Sequence, residues 1–212
     1  MAFVVFEGLD GSGKSSLMRA LEEVLAKRQV PFVRTREPGG TPLGDEIREL
    51  ILRKSGQAPT ARTELLLYEA SRAQHVDLVI APALQQKKWV LCDRFSASSI
   101  AFQAGGREIS TSEVETLNAF ATQGLSADLT VLLDLSVEES KKRRQGRSTQ
   151  TGEAEDRIEA EAEAFHERVR QSFLTQARQH SQKWLVLDAS QTPEQLKDLL
   201  LRELDERGIL TR

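Results

Sequence analysis

The chain has 212 residues, a length that suits one domain with at most a small appended lid. Its formal net charge of −3 gives no general drive toward nucleic acid or an anionic membrane, so any anion must be bound by a local cluster of basic residues. The sequence has no run of about 18 apolar residues that would predict a membrane helix. The one cysteine, Cys92, excludes an internal disulfide and fits a reducing cytoplasm.

The first predicted element is a strand at residues 2–6, which a glycine-rich loop and a helix follow. We expect no signal peptide, because the apolar N-terminal residues already form this strand. The loop is Gly8-Leu-Asp-Gly-Ser-Gly-Lys-Ser15 and fits the pattern G-x-x-x-x-G-K-[ST]. Strand, loop and helix in this order predict a phosphate-binding loop, in which glycines let backbone N–H groups wrap a polyphosphate.

The helix N-terminus after this loop adds partial positive charge to the predicted phosphate site. Lys14 would reach the β- and γ-phosphates of a nucleotide, and the Ser15 hydroxyl would hold Mg²⁺. The candidate nucleotide-binding residues are Gly8, Asp10, Gly11, Ser12, Gly13, Lys14, Ser15 and Ser16.

Further strands are predicted at residues 31–34, 89–92, 129–134 and 184–187. Each is short and almost continuously apolar, which is typical of strands buried on both faces. Helical stretches separate them, so we predict an α/β fold, a five-stranded parallel sheet with helices on both faces. In such folds ligands bind at the carboxyl ends of the strands.

Charged residues follow the second and third predicted strands. The loop at residues 34–41 contains Glu37, and Asp93 and Arg94 come directly after residue 92. An acidic residue at a strand end beside a phosphate-binding loop is the usual place for a carboxylate that directs Mg²⁺. Arg94 could bind the phosphate of an acceptor. The alternative for this pair is a helix N-cap beside a surface arginine.

A segment at residues 141–152 begins with basic residues and then turns polar, and a long charged helix from about residue 153 to residue 180 is predicted after it. Beside a phosphate site we favour a mobile lid, at about residues 141–155, over a solvated surface loop. An arginine in such a lid can be worth about 10³-fold or more in the rate of phosphoryl transfer. The candidate catalytic residues are Lys14, Asp93, Arg94, Arg143, Arg144 and Arg147.

Several blocks of the sequence together resemble the signature set of bacterial thymidylate kinases, in matching order and spacing across nearly the whole chain. The blocks are Phe6-Glu-Gly-Leu-Asp-Gly-Ser-Gly-Lys-Ser15, Thr35-Arg-Glu-Pro-Gly-Gly-Thr41, Glu64-Leu-Leu-Leu-Tyr-Glu-Ala-Ser-Arg-Ala-Gln-His75, Asp93-Arg-Phe95 with Ser98-Ser-Ile-Ala-Phe-Gln103, and Asp156-Arg-Ile-Glu159. The resemblance implies a P-loop kinase that transfers the γ-phosphate of ATP to dTMP with Mg²⁺ and acts as a homodimer.

The resemblance also implies how the acceptor base is held. Tyr68 would stack on thymine, and Arg72, one helical turn later on the same face, would bond the base carbonyl O4. A donor-only arginine at O4 would select thymine over cytosine, whose amino group is itself a donor. Gln103 and Ser99 would reach the other edge of the base.

The remaining implied roles concern the acceptor phosphate, the sugar and the metal. Arg48 and Arg94 match the arginines on the dTMP phosphate, and Asp10 matches the acid near the sugar 3′-hydroxyl. Glu37 and Asp93 match the carboxylates around Mg²⁺ and the acceptor phosphate. The implied substrate-binding residues are Asp10, Glu37, Arg48, Tyr68, Arg72, Arg94, Ser99, Phe102 and Gln103.

Two positions depart from the pattern of the family. Phe102 stands where tyrosine is frequent, near the sugar 2′ position, and its bulk preserves selection of deoxyribose by shape. The phosphate loop has Gly11 where one branch of the family has arginine, so the chain resembles the branch whose lid supplies the catalytic arginines. The resemblance further implies a cis peptide bond before Pro38.

Other functions stay open at this stage. They are a different nucleoside monophosphate or deoxynucleoside kinase, a nucleotide-dependent switch and a P-loop module without catalysis. The switch would need a guanine-reading N-K-x-D segment, which the sequence lacks. Intact Lys14, Ser15 and Asp93 argue against the module without catalysis.

Two amphipathic stretches, at residues 63–84 and 112–121, could supply the dimer interface, although a sequence does not distinguish an interface from a core face. Within the first stretch we expect the leucines at residues 65–67 to be core and Tyr68 to line the pocket.

Overall fold

The computed structural model describes residues 1–151 and 155–210, without the side chains of residues 148, 150 and 151. Parallel strands form one five-stranded sheet in the order β2-β3-β1-β4-β5. The strands are β1 (Phe3–Glu7), β2 (Phe32–Arg36), β3 (Trp89–Asp93), β4 (Leu129–Asp134) and β5 (Trp184–Asp188). Each predicted strand is confirmed with its ends within two residues of those observed.

Helices cover both faces of this sheet, which confirms the predicted fold class. The helices are α1 (Lys14–Lys27), α2 (Pro42–Leu52), α3 (Ala61–His75), α4 (Ala81–Gln85), α5 (Ser96–Ser99), α6 (Thr111–Thr122), α7 (Val137–Thr151), α8 (Glu163–Gln179) and α9 (Pro193–Glu206). Single π-helical turns lie at Val76–Ile80 and Ile100–Gly106, and a 3₁₀ turn lies at Ser181–Lys183.

The central strand β1 shows how the two faces are filled. Val4 and Phe6 point to the face that α1 and α9 cover, and Phe3 and Val5 point to the opposite face. Because side chains alternate along a strand, a run that is apolar at every position must be buried on both sides. The burial of β1 therefore fixes the glycine loop that follows it at the carboxyl edge of the sheet, in the middle of the molecule.

Local capping determines where two helices near this edge begin. The Thr41 hydroxyl accepts a hydrogen bond from the Gly44 N–H at 3.0 Å, and Pro42 occupies the first turn of α2. Thr60 caps α3 in the same way, through the Thr63 N–H. These starts orient α2 and α3, which pack against each other and carry Arg48 and Tyr68 toward the sheet edge.

The region of the predicted lid differs from expectation in one boundary. Residues 141–151 belong to α7. The helix predicted after them is confirmed at Glu163–Gln179 (α8), but its predicted start at about residue 153 was wrong. The Asp156 carboxylate accepts the N–H groups of Ile158 and Glu159 at 2.8 Å, which closes a turn, and Ile158 is buried among core residues. Residues 152–154 of the predicted lid lie outside the described residues.

The leucines before Tyr68 are not all core. Leu65 is buried, but Leu66 is 56% exposed, so the prediction for residues 65–67 was wrong at Leu66. Successive residues on a helix point about 100° apart, and a run of three leucines therefore cannot face one core. Leu66 instead lies on the outer surface of α3.

The composition led to two expectations, one about Cys92 and one about membrane-spanning helices. Cys92 is fully buried in β3, and its thiol donates to the Arg94 carbonyl oxygen with Sγ 3.0 Å away, as expected for a small buried residue. In the part of the chain that the structure describes, none of the helices combines the length and the apolar character needed to cross a bilayer.

Candidate active site

The loop between β1 and α1 has the backbone that its glycines permit. Gly8, Gly11 and Gly13 all have positive φ, at 135°, 81° and 98°. A Cβ atom at Gly8 would lie 2.5 Å from the Leu133 carbonyl oxygen, so only glycine fits at this position. The Ser140 hydroxyl of α7 donates to the Asp10 carbonyl at 2.7 Å and ties the loop to α7. The loop therefore packs closely against β4 on one side and is hydrogen-bonded to α7 on the other.

Lys14 lies at the base of this loop. Its Nζ donates to the carbonyl oxygens of Gly8 and Leu9 at 3.1 Å each and lies 3.9 Å from the Asp10 carboxylate. Burial and the nearby Arg94 lower the pKa of Lys14 from its ordinary value. Since an ammonium has three hydrogens, one remains for a phosphate oxygen after the two carbonyls are satisfied.

A cavity opens directly above the loop and joins it to the ends of β2 and β3. Ser15 and Asp93 both face this cavity, and Asp93 Oδ1 is buried without a hydrogen-bond partner among the described residues. Arg36 was not singled out by the sequence, although it also faces the cavity. The predicted residues that line it are Asp10, Gly11, Gly13, Lys14, Ser15, Ser16, Glu37, Arg48, Asp93, Arg94, Arg143 and Arg147.

The arginines of α7 divide into two groups. Arg143 and Arg147 line the phosphate cavity, where Arg143 pairs with Glu139 and Arg147 pairs with Glu159. Arg144 is buried instead, with hydrogen bonds to Ser140 and Glu155. The sequence did not distinguish the three arginines. A helix was not predicted for residues 141–151, so the directions of these side chains around a helix axis were unknown.

A second cavity adjoins the first on the side of α3. Tyr68, Phe102 and Gln103 line it, as the resemblance implies. Gln103 donates its side-chain N–H to the Glu64 carboxylate at 2.9 Å. Phe102 packs between Phe165 and Phe173, with ring centroids 6.2 and 6.1 Å away.

The two cavities share a set of charged residues at their junction: Asp10, Glu37, Arg48 and Arg94. Arg94 has φ +70°, and its guanidinium donates to Asp10 Oδ1 at 2.9 Å and lies 5.0 Å above the Phe102 ring. The charges of Arg94 and Lys14 outweigh burial and lower the pKa of Asp10 below its ordinary value. Burial and the neighbouring Arg36 lower the pKa of Arg48, as expected where cations converge on a site for an anion.

Arg72 and Ser99 lie outside the residues that line the second cavity. The buried Arg72 guanidinium donates to Glu37 at 2.8 Å, to Glu69 at 2.6 Å, and to Ser99 at 2.8 Å. The other oxygen of the Glu37 carboxylate lies 2.9 Å from Nδ1 of His75. The role of Arg72 at the base carbonyl therefore stays a prediction, and its observed partners are the carboxylates behind the cavity wall. The peptide bond before Pro38 is cis, as the resemblance implies.

Several residues at the site were missed by the sequence argument. Ser98, rather than its neighbour Ser99, lines the second cavity, as does Asp156. Ser98 and Ser99 are consecutive residues of α5, and side chains one residue apart on a helix point about 100° apart, so only Ser98 faces the cavity. Asp156 belongs to a block that resembles the family, and that block was the available signal.

Glu7 was also missed, although it is the last residue of β1. Its buried carboxylate accepts the Phe95 N–H at 2.9 Å and the Ser98 hydroxyl at 2.7 Å, and lies 3.8 Å from the Arg94 guanidinium. Burial raises the pKa of Glu7 to about 7, against the opposing charge of Arg94. Glu7 thus anchors the segment that carries Arg94 and Ser98.

Glutamine at Glu7 is expected to change the pH dependence of stability. The folded protein keeps the Glu7 proton up to about pH 7, whereas the unfolded chain releases it near the ordinary value of 4.5. The Glu7 contribution is therefore fully present below that value and is lost as pH rises to about 7. As pH rises from 4.5 to about 7, the free energy of unfolding of Glu7→Gln should increase relative to that of wild type by on the order of 3 kcal/mol. Urea unfolding across this range measures the difference, and parallel profiles would contradict it.

A phosphate-binding loop that opens into a second, base-sized cavity is the arrangement of a P-loop nucleotide kinase, in which donor and acceptor phosphates meet between two sites. A sequence model of the family described as "Thymidylate kinase" matches residues 6–200. The chain belongs to the thymidylate kinase family.

Similar proteins cover the chain almost end to end. A thymidylate kinase of Bdellovibrio bacteriovorus is 69% identical over 210 residues, which cover 99% of this chain and 98% of that protein. A thymidylate kinase of a Synechococcus species is 45% identical, with 96% of this chain and 97% of that protein covered. One of Cutibacterium acnes is 43% identical, with 99% and 98% covered.

Proposed function

We propose that the chain transfers the γ-phosphate of ATP to dTMP and produces ADP and dTDP. The observation that carries this proposal is the junction of the two cavities at Asp10, Glu37, Arg48 and Arg94. A donor phosphate bound above Lys14 and an acceptor phosphate bound by Arg48 and Arg94 would meet there. Phosphoryl transfer requires alignment and positive charge at the transferring group more than covalent help.

The second cavity supports a thymine base. Tyr68 offers an aromatic ring on one wall, and base stacking of this kind is worth about 1–3 kcal/mol. Gln103 donates to Glu64, so its carbonyl oxygen is left to accept a hydrogen bond from the base. Thymine carries such a donor at N3, whereas cytosine has a lone pair there. Phe102 adds bulk at the wall where we place the sugar.

The residues around Asp93 fit Mg²⁺. Its carboxylate has a buried oxygen without a partner among the described residues, and Ser15 lines the same cavity. Oxygen ligands of this kind suit Mg²⁺. We propose that Ser15 and Asp93 hold the ion, which when bound would neutralise charge on the ATP phosphates. Glu37 fits less well, because Arg72 and His75 occupy its two oxygens.

The arginines of α7 supply charge in this proposal. Arg143 and Arg147 line the phosphate cavity and remain candidates for contact with the transferring group. Arg144 lies against Ser140 and Glu155, so we assign it to holding α7 beside the phosphate loop. Closure of the predicted lid at about residues 141–155 would bring the first two arginines toward the γ-phosphate.

The release of ADP from Mg·ATP tests the proposed function. The acceptors are dTMP, dUMP, dCMP, dGMP, UMP and AMP, each supplied separately. We expect the highest kcat/KM with dTMP. Preference for another acceptor would retain the kinase and overturn the assignment of the base. Binding of ATP without turnover of any acceptor would favour the module without catalysis.

We also propose that the chain forms one domain over residues 1–212, acts in the cytoplasm and works as a homodimer. Large apolar side chains are exposed on helices that pack next to one another, α2, α3 and α6. They are Leu43, Leu50, Leu66, Leu78 in the π turn after α3, and Phe120. Monomeric proteins rarely expose so many on neighbouring elements, which supports a partner surface there.

A charge at Phe120 is expected to weaken the dimer. Phe120 is 83% exposed in the single chain, so Phe120→Arg should leave the fold intact. In a dimer the guanidinium would be buried, and we expect the dissociation constant to rise about tenfold or more. Sedimentation equilibrium measures this change. Val186→Arg, at an exposed apolar residue of β5, is the matched control, and an equal effect of both variants would place the interface elsewhere.

A further inference from the structure

The buried carboxylate of Glu64 lies directly behind the second cavity. Glu64 is in the first turn of α3, one helical turn before Tyr68, and is fully buried. Its Oε1 accepts from Gln103 Nε2 at 2.9 Å and from Arg107 Nε at 3.1 Å. Its Oε2 accepts from Arg107 Nη2 at 3.1 Å and from Arg157 Nη2 at 2.6 Å. Every direction in which this carboxylate can accept is therefore used.

The two arginines keep this carboxylate ionised. Burial acts to raise the pKa of Glu64, but the hydrogen bonds from Arg107 and Gln103 outweigh it, and the pKa is lowered from its ordinary value. An ionised carboxylate can only accept hydrogen bonds. The Gln103 amide must therefore turn its NH₂ group toward Glu64, which removes the usual ambiguity between the two ends of a glutamine side chain.

The carbonyl end of Gln103 is the part that remains for a ligand. Gln103 lines the second cavity, and none of the described residues donates to its Oε1. A base that offers an N–H at this point would satisfy the oxygen, whereas a base that offers a lone pair would leave two acceptors facing each other. The second arrangement is costly in a site with little water.

We infer that Glu64 is a positioning residue for base selection, which acts by fixing the Gln103 amide with its carbonyl toward the acceptor base. This inference rests on the proposed function, because it assumes that a pyrimidine monophosphate occupies the second cavity. It assigns selection between thymine and cytosine partly to a residue that does not contact either base.

Replacement of Glu64 by glutamine tests the inference. The new amide can present either end to Gln103, so the Gln103 amide can turn its NH₂ group toward the cavity, where it suits the N3 lone pair of cytosine. The quantity measured is the ratio of kcat/KM for dTMP to kcat/KM for dCMP. We expect Glu64→Gln to lower this ratio about tenfold or more, mainly through the KM for dTMP.

A double-mutant cycle separates this role from a structural one. Gln103→Leu should lower the ratio by itself, and Glu64→Gln added to Gln103→Leu should lower it no further. Arg107→Lys is the matched control, because it disturbs the ion pairs of Glu64 and leaves the Gln103 contact; its melting temperature should fall while its ratio is retained. An unchanged ratio in Glu64→Gln, or a further fall in the double variant, would overturn the inference.

Gln103→Leu keeps the test decisive if Glu64→Gln does not fold. The inference requires the Gln103 carbonyl to select the base, so this variant should lower the ratio about tenfold or more, and an unchanged ratio would overturn the inference. The wild type distinguishes the two levels of failure. Absence of dTMP turnover in wild type would defeat the proposed function and the inference together, whereas normal wild-type preference with unaltered Glu64→Gln would defeat the inference alone.

Discussion

Replacing Lys14 by alanine is expected to lower the rate of phosphoryl transfer by about 10²–10³-fold. The buried ammonium is held by the carbonyl oxygens of Gly8 and Leu9, and its remaining hydrogen is available to a phosphate in the cavity that Lys14 lines. A charge fixed in such surroundings stabilises the transferring phosphoryl group without reorganisation during the reaction. Water that entered in place of the side chain would not supply this charge.

Steady-state kcat with Mg·ATP and dTMP measures the effect, and calorimetry of dTMP binding shows whether the acceptor site is intact. Lys27→Ala is the matched control, because Lys27 is exposed in the last turn of the same helix. Turnover of Lys14→Ala within threefold of wild type would remove Lys14 from the reaction. Loss of cooperative unfolding together with turnover would instead assign the residue to holding the loop.

Leucine in place of Arg72 is expected to lower the free energy of unfolding by about 3–5 kcal/mol. The guanidinium lies between the carboxylates of Glu37 and Glu69 and also donates to the Asn118 side chain at 2.8 Å. Removing it leaves two carboxylates buried without their cation, and this cost exceeds the gain from burying a leucine side chain. Urea unfolding at pH 7 gives the difference.

Arg170→Leu provides the comparison for this variant. Arg170 forms a two-pronged pair with Asp134, at 2.7 and 2.9 Å, but both side chains are partly exposed, so its loss should cost about 1 kcal/mol or less. An equal loss of unfolding free energy in the two variants would contradict the expectation that burial makes the loss larger.

Where Arg72→Leu remains folded, use of dTMP should fall far more than ATP binding, because Arg72 holds Glu37, which lines the acceptor cavity. Equal weakening of dTMP use and ATP binding would refute this link.

The sequence was sufficient to predict the sheet and the edge at which the candidate site residues meet. Five apolar runs predicted five strands, and the glycine loop, Glu37 and Asp93 all followed strand ends, where parallel topology brings them together. The prediction of the inner strands β1, β3 and β4 succeeded because burial on both faces leaves a strong local signal. The edge strands β2 and β5 are only partly buried, so the expectation of burial on both faces was wrong for these two. Parallel topology then brings the loops after the strands to one edge of the sheet.

Residue-level placement was less predictable wherever it depended on helix rotation. Ser98 and Ser99 are neighbours in α5, and the rotation of this helix turns Ser98 toward the second cavity and Ser99 toward Arg72. The side-chain turn at Asp156 delays α8 until Glu163. The turn at Asp156 is local, whereas the partners of the Arg72 guanidinium, Glu37 and Asn118, lie 35 and 46 residues away in the sequence. No local pattern encodes such contacts.

Because Cys92 is buried, the reaction of its thiol with a reagent that changes absorbance reports how often the fold opens. A thiol reagent can react only after the residues that share the buried cluster of Cys92, such as Val76, Ile80 and Phe95, have moved away, so the labelling rate in native buffer measures how often this face of the sheet opens. Nucleotide bound over the adjacent Asp93 would stabilise the closed form and slow labelling in proportion to its occupancy. Ligands of this protein can therefore be ranked without turnover, without an added fluorophore and without changing one residue.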